Sequence, residues 1–306
     1  MNESVAETAE KIHRLQVQGA RNVAIAALNA YQTLAENTQA TTRKEFLAEL
    51  CQARDLLFAA RETEPLMRNA VRWVITQVED SDERKVIELA NLVSFSAQKF
   101  QQNLAASKER IAEIGSKRIR DGSTVFTHCH SSTVTNMLAK AKADGKSFEV
   151  VCTETRPAFQ GRITAKELLG LGLKTTFIVD SATRSLMHNV DLVVVGADAI
   201  TSEGNIVNKI GSSAIAVLAH EARKPFYAVS ELLKFDPATL YGEYERIEER
   251  SRNEVWKEAP AELTVRNPAF DVTPRDLISG LICEEGIITP QSVAEVMHRV
   301  YPWVFE

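Results

Sequence analysis

DGSTVFTHCHSST, residues 121–133, is where the hydrophobic period of this chain changes. Upstream, apolar residues recur at helical spacing. Here Ser123 to Thr127 reads as a short β-branched strand that runs straight into a cluster of ionisable and hydroxyl side chains. Four similar runs follow, at 148–152 (FEVVC), 175–179 (TTFIV), 191–195 (DLVVV) and 225–229 (PFYAV), separated by helical stretches at about 132–143, 162–171 and 210–222. Continuously apolar strands that alternate with helices predict a parallel sheet covered on both faces. The expected fold class is α/β: an all-helical N-terminal domain, residues 1–120, followed by a doubly wound parallel-sheet domain, residues 121–306.

The upstream part supports that division. Residues 1–120 hold two of the 13 glycines (Gly19 and Gly115) and one of the nine prolines, Pro65, so little interrupts regular structure there. Val5, Ala9, Ile12 and Leu15 fit one helical face; Val23, Ala26, Ala27 and Ala30 fit a second face of small residues. Phe46, Leu50, Leu56 and Leu57, then Val71, Val74, Ile75 and Val78, predict two more helices, and EDSDER (79–84) a break. From Glu83 to Arg120 a long helix is expected on Ile87, Leu92, Phe95, Phe100, Leu104, Ile111 and Ile114.

Composition narrows the function. The chain has 306 residues with 36 Lys plus Arg against 41 Asp plus Glu, a formal net charge of -5, which argues against non-specific nucleic-acid binding. No apolar run approaches the roughly 18–20 residues of a bilayer span, and no basic segment followed by an apolar block suggests secretion. Cys51, Cys129, Cys152 and Cys283 lie far apart and read as reduced thiols of a cytoplasmic protein.

In an open doubly wound sheet ligands bind beyond the carboxyl ends of the strands. The five runs end in Thr127-His128-Cys129-His130-Ser131-Ser132-Thr133; Cys152-Thr153-Glu154-Thr155-Arg156-Pro157 with Gln160-Gly161; Asp180-Ser181-Ala182-Thr183; Gly196-Ala197-Asp198 with Asn208-Lys209-Ile210-Gly211; and Ser230 with Lys234. Five polar strand ends on one edge, with one thiol and one carboxylate, make a candidate site. His128, Cys129 and His130 are not expected to share a metal ion, because adjacent strand side chains point to opposite faces. Cys129, ahead of a helix, is expected to be favoured as thiolate by the helix dipole. Asp198, after Val193-Val194-Val195-Gly196-Ala197, reads as an N-cap or a site carboxyl of raised pKa. Gly170-Leu171-Gly172 lacks a third glycine and follows a helix; it reads as a helix stop, and no cofactor is expected. The acidic run from Glu243 to Glu258 reads as a solvated helix face.

Taken together, these motifs, with the late segment Asn267-Pro268-Ala269-Phe270-Asp271-Val272-Thr273-Pro274, resemble a superfamily of three groups. They are the methylthioribose-1-phosphate isomerases, the ribose-1,5-bisphosphate isomerases, and the regulatory α, β and δ subunits of translation initiation factor 2B. The resemblance covers essentially the whole chain and implies a Rossmann-like second domain. It implies Cys129 and Asp198 as a catalytic pair, which the initiation-factor subunits typically lack. The His-Cys-His-Ser form and the length resemble the bisphosphate isomerases. Substrate contacts are implied on Gly19, Ala20, Arg21, Arg61, Ser131, Ser132, Thr133, Asn208, Lys209 and Lys234, with Gln160 carried over from the methylthioribose branch. Where the family usually reads Arg-Gly-Ala-Gly, this chain has Gln18-Gly19-Ala20-Arg21, so either Arg21 substitutes or a phosphate contact is lost.

The implied reaction is an aldose-to-ketose isomerisation of ribose 1,5-bisphosphate, in nucleoside-monophosphate salvage that feeds a ribulose-bisphosphate carboxylase. Cys129 is the expected base, its pKa lowered, and Asp198 the expected acid, its pKa raised. The expected partner is the sugar phosphate, with neither nucleic acid nor membrane, and the chain is expected to form a homo-oligomer. The alternatives are a non-catalytic regulatory subunit and a methylthioribose-1-phosphate isomerase.

Overall fold

A computed structural model describes residues 3–61 and 63–305. They gather into two compact units, one drawn from Met1–Ala106 with Tyr301–Glu306, the other from Ser107–Val300.

The first unit is helical: α1 (Glu3–His13), α2 (Ala20–Glu36), α3 (Arg43–Ala60), α4 (Pro65–Glu79) and most of α5 (Val86–Ser116). Much of what spacing predicts is buried, but on α5 the expected face fails at Ile87 and Phe95, which are 64% and 62% exposed. Val5 and Ile12 of α1, Val23, Ala27 and Tyr31 of α2, and Val71, Val74 and Val78 of α4 are all closed to solvent. α3 starts at a capping box, where Thr42 accepts from the Glu45 amide and Glu45 reaches back. The last residues return to this unit: Trp303 stacks on Trp73 with ring centroids 5.1 Å apart. The stretch poor in glycine and proline extends through α5, whose final turns belong to the second unit.

The second unit continues with β1 (Ser123–Thr127), α6 (Ser132–Ala143), β2 (Phe148–Thr153), α7 (Gly161–Gly170), β3 (Lys174–Ile178), α8 (Thr183–Met187), β4 (Leu192–Val195), β5 (Ala199–Ile200) and β6 (Ile206–Lys209). It closes with α9 (Ser212–Glu221), β7 (Phe226–Val229), α10 (Arg252–Val255), β8 (Phe270–Thr273), β9 (Gly280–Cys283), β10 (Gly286–Ile288) and α11 (Val293–Val300). Seven strands form one sheet in the order β10-β9-β7-β4-β1-β2-β3, parallel except for the β9–β10 hairpin. This is the Rossmann-like, doubly wound arrangement expected from the five apolar runs.

Register explains the unbroken apolar strands. Val125 pairs with Val150 on one side and Leu192 on the other. These three pack with Val194, with Met137, Leu138 and Ala141 of α6, and with Ile111 of α5. The alternate residues Phe126, Val193 and Val195 are equally buried, so both sheet faces are covered. β3 departs from that pattern. It lies at the edge, and Phe177 is 44% exposed.

The sequence reading missed the β9–β10 hairpin that extends the sheet, and two further features differ from it. A second sheet, β5-β6-β8, grows from the end of β4 and carries Asn208 and Lys209. The run Glu243 to Glu258 is not a helix face; apart from α10 it is irregular, and Arg250 draws Glu248 and Glu254 into ion pairs. Charge spacing alone did not separate a solvated helix from an ion-paired loop.

Candidate active site at the carboxyl ends of the central strands

The order of strands reverses between β1 and β4, the point at which a doubly wound sheet opens a crevice. Cys129 lies two residues beyond β1 and Asp198 three beyond β4. Both are half-buried.

Cys129 sits in the left-handed region at φ 66°. A side chain there costs about 1–3 kcal/mol unless its surroundings over-determine it. Here both flanking peptides are held: the Cys129 amide donates to Thr155 Oγ1 at 2.9 Å, and Thr164 Oγ1 donates to the Cys129 carbonyl at 2.8 Å. The His130 amide donates to the sulfur.

The thiol's titration contradicts the sequence expectation. Burial pushes the Cys129 pKa up to about 11, Lys209 pulls it down, and Asp198 and Asp180 push it further up. Desolvation outweighs the helix dipole, so the unliganded protein holds a thiol, not a thiolate.

The two histidines turn away from the sulfur to different partners. His128, buried, lies with Nδ1 2.6 Å from Thr153 Oγ1 and Nε2 2.9 Å from the Ile210 carbonyl; burial lowers its pKa. His130 lies with Nδ1 3.1 Å from Thr164 Oγ1 and Nε2 3.7 Å from Glu167. These separate engagements hold the two rings apart, but strand alternation is not the cause, because residues 128–130 lie beyond β1 and Cys129 is left-handed. No group of three or more metal-ligating side chains occurs among the described residues.

An anion would meet the first turn of α6, whose amides an α-helix leaves unpaired. Ser131 caps it by accepting from the Val134 amide, Ser132 is exposed, and Thr133 is buried with its hydroxyl 3.3 Å from Glu231. Gly196 is required by close approach, since a Cβ there would lie 2.8 Å from Ser131 Cβ and Oγ. Asn208, buried, donates to Ser212 Oγ at 2.8 Å. Lys209 lies over the Phe270 ring at 4.6 Å. Lys234, 7% exposed, donates from Nζ to the Ala197 carbonyl at 2.7 Å, with Glu231 at 3.5 Å; it braces the residue before Asp198. Gln160 precedes α7, and its Oε1 is buried without a partner among the described residues. Asp180 ties the β2 loop by accepting from the Thr155 and Arg156 amides at 2.8 and 2.7 Å.

Gly19, Ala20, Arg21 and Arg61 belong to the first unit. Gly19, at φ 83°, caps α2; Ala20 is buried in its first turn; Arg21 donates to the Leu104 carbonyl at 2.7 Å; Arg61 pairs with buried Glu64 at 2.8 Å. Spacing did not reveal the supporting residues Thr164 and Glu231. Thr153 and Thr155 were on view in the β2 motif without a role.

A Rossmann-like sheet with a thiol, a carboxylate and two lysines beyond the carboxyl ends of its strands is the frame into which the chain's relatives fit. The chain belongs to the initiation factor 2 subunit family, whose model it matches over residues 16–290. It is 43% identical to the ribose 1,5-bisphosphate isomerase of Archaeoglobus fulgidus over 294 residues, 94% of this chain and 91% of that one. To the enzyme of the same name from Methanocaldococcus jannaschii it is 39% identical over 303 residues, 98% of this chain and 96% of the other. Among solved structures, the Pyrococcus horikoshii translation initiation factor eIF-2B superposes with a TM-score of 0.83 at 29% identity, covering 95% of this chain and 98% of that one.

Proposed function

We infer that this protein is a ribose 1,5-bisphosphate isomerase, an intramolecular aldose–ketose isomerase that yields ribulose 1,5-bisphosphate. One observation carries the reading: the chain is similar over nearly its full length to enzymes of that name. The places of Cys129 and Asp198, beyond the two strands that flank the switch point, support it.

The phosphate on C1 locks the sugar as a ring, so the reaction proceeds by loss of the C2 proton and cleavage of the ring C1–O bond. Cys129 thiolate takes the C2 proton while Asp198, protonated, gives its proton to the ring oxygen. The resulting C1–C2 enol collapses to the ketone as Asp198 recovers a proton from the C2 hydroxyl and Cys129 returns one to C1. Atoms balance, and both groups end as they began.

A protonated Asp198 carries no charge, so the acid that the reaction needs no longer holds the thiol pKa up. Lys209 and the His130 amide remain to support the thiolate. The α6 amides, Ser131, Ser132, Thr133, Asn208, Lys209 and the remaining N–H of Lys234 are assigned to the substrate's hydroxyls and phosphates.

The test is an assay of ketose formation from ribose 1,5-bisphosphate against methylthioribose 1-phosphate. Turnover of the bisphosphate alone is expected. Cys129→Ser and Asp198→Asn should each lose at least about 1,000-fold in kcat while still binding substrate, since each removes a group of a concerted pair. Preference for the methylthio sugar, or no turnover of either, overturns the reading. The reading also makes the chain a cytoplasmic homo-oligomer, which a monomer in analytical ultracentrifugation would contradict.

A further inference from the structure

We infer that His128, which has no part in the chemistry above, is a positioning residue for Cys129 and acts through a one-way chain of hydroxyls supplied by Thr153 and Thr155. The inference rests on Cys129 being the base.

Proton counting sets the direction. The Ile210 carbonyl can only accept, so His128 Nε2, 2.9 Å away, carries a hydrogen. The ring is buried and neutral, which leaves Nδ1 as an acceptor. Thr153 Oγ1, at 2.6 Å, must therefore donate to it. A hydroxyl has one hydrogen, so Thr153 can only accept from Thr155 Oγ1 at 3.3 Å. Thr155 has then spent its hydrogen, and its oxygen accepts the Cys129 amide at 2.9 Å. Every link points the same way, from the Cys129 amide to the Ile210 carbonyl, and aligned links polarise one another.

Each end is set where a shift would be felt. At one end is the left-handed residue that carries the sulfur. At the other is the residue after Lys209, whose charge acts on that sulfur. Gly211 leaves the ring its place: a Cβ at 211 would crowd it, at 3.2 Å from Nε2. His128 thus spaces the thiol turn from the lysine strand, with no contact to substrate of its own. Thr164 holds the opposite peptide of Cys129 and accepts from His130 Nδ1, since its own hydrogen goes to the Cys129 carbonyl.

Isosteric pairs test the chain in the full-length protein. Thr155→Val and Thr153→Val remove a link and keep the shape; Thr155→Ser and Thr153→Ser keep the link. The valine variants are expected to lose roughly 10- to 100-fold in kcat with KM changed less than about twofold, the serine variants less than about threefold in either, as displacement of a reacting group predicts. His128→Asn, whose Oδ1 can stand in for Nδ1 as acceptor, should retain more kcat than His128→Leu. Iodoacetamide labelling of Cys129, read by peptide mass spectrometry, should change rate in the valine variants and not in the serine ones. If Thr155→Val does not fold, judged by circular dichroism, Thr155→Ala takes its place. Wild-type kcat and labelling in folded valine variants overturn the inference. Full activity of Cys129→Ser would instead overturn the assignment of the base, and the labelling rates would still report on the chain.

Discussion

At Cys129 the balance of forces can be read from its neighbours. Burial raises the thiol pKa to about 11, Asp198 and Asp180 raise it further, and Lys209 lowers it. Asp198→Asn removes a negative charge, so the thiolate fraction at fixed pH rises; Lys209→Met removes the opposing positive charge, so it falls. Labelling of Cys129 by iodoacetamide at pH 8 should accordingly be faster in the first variant and slower in the second, each by about 3- to 10-fold on a shift of roughly half to one pKa unit. Equal rates in both would mean that neither charge reaches the sulfur. The position of Cys129 at a strand end before a helix was legible from sequence, because the apolar period that places the strand is a local property. Its protonation was not, because the helix dipole can be read from spacing, whereas desolvation depends on what packs over the thiol.

Two helix N-termini lie near the strand ends, and they are not equivalent. That of α9 is already satisfied: Asp271 on β8 accepts the Gly211 amide at 2.7 Å and the Ser213 amide at 3.0 Å. Burial raises the Asp271 pKa while those amides oppose it. Asp271→Ala should cost about 0.5–2 kcal/mol in urea unfolding, the loss of a cap, and weaken substrate binding through Lys209 on the paired strand. An unchanged midpoint would show that the cap carries no stability. At α6, Ser131 supplies the cap, and Gly196 allows β4 to pass close beneath it. Gly196→Ala must push Ser131 away, with an expected loss of roughly 1–3 kcal/mol and a raised KM; a variant with wild-type stability and KM would contradict that packing. The helices of ten or more residues were legible from apolar spacing, whereas the short α8, α10 and α11 were not. The β5-β6-β8 sheet was not: strands of two to four residues carry too little pattern, and the β6–β8 pairing joins residues more than sixty positions apart.

The buried thiols make the whole molecule sensitive to base. Cys152 and Cys283 are fully buried, and burial lifts their pKa values from 9.0 to about 11 and about 12. Between pH 9 and those values the folded chain keeps protons that the unfolded chain releases, so stability falls as pH rises through that window, by on the order of 2 kcal/mol for each thiol. Urea midpoints at pH 8 and pH 10.5 should show the decline, and Cys152→Val with Cys283→Val should lessen it and leave the share of Cys129; a pH-independent midpoint in the unmutated protein would refute this. The class of the fold and the polar strand ends that carry the candidate residues follow from the sequence, because apolar period and residue type are local properties. Tertiary structure alone decided which side chains hold those residues in place. That the Thr153–Thr155–His128 chain grips Cys129, that Lys234 braces Ala197, and that the thiol rests protonated all depend on groups far apart in the chain. Burial and hydrogen-bond direction exist only once those groups are packed together.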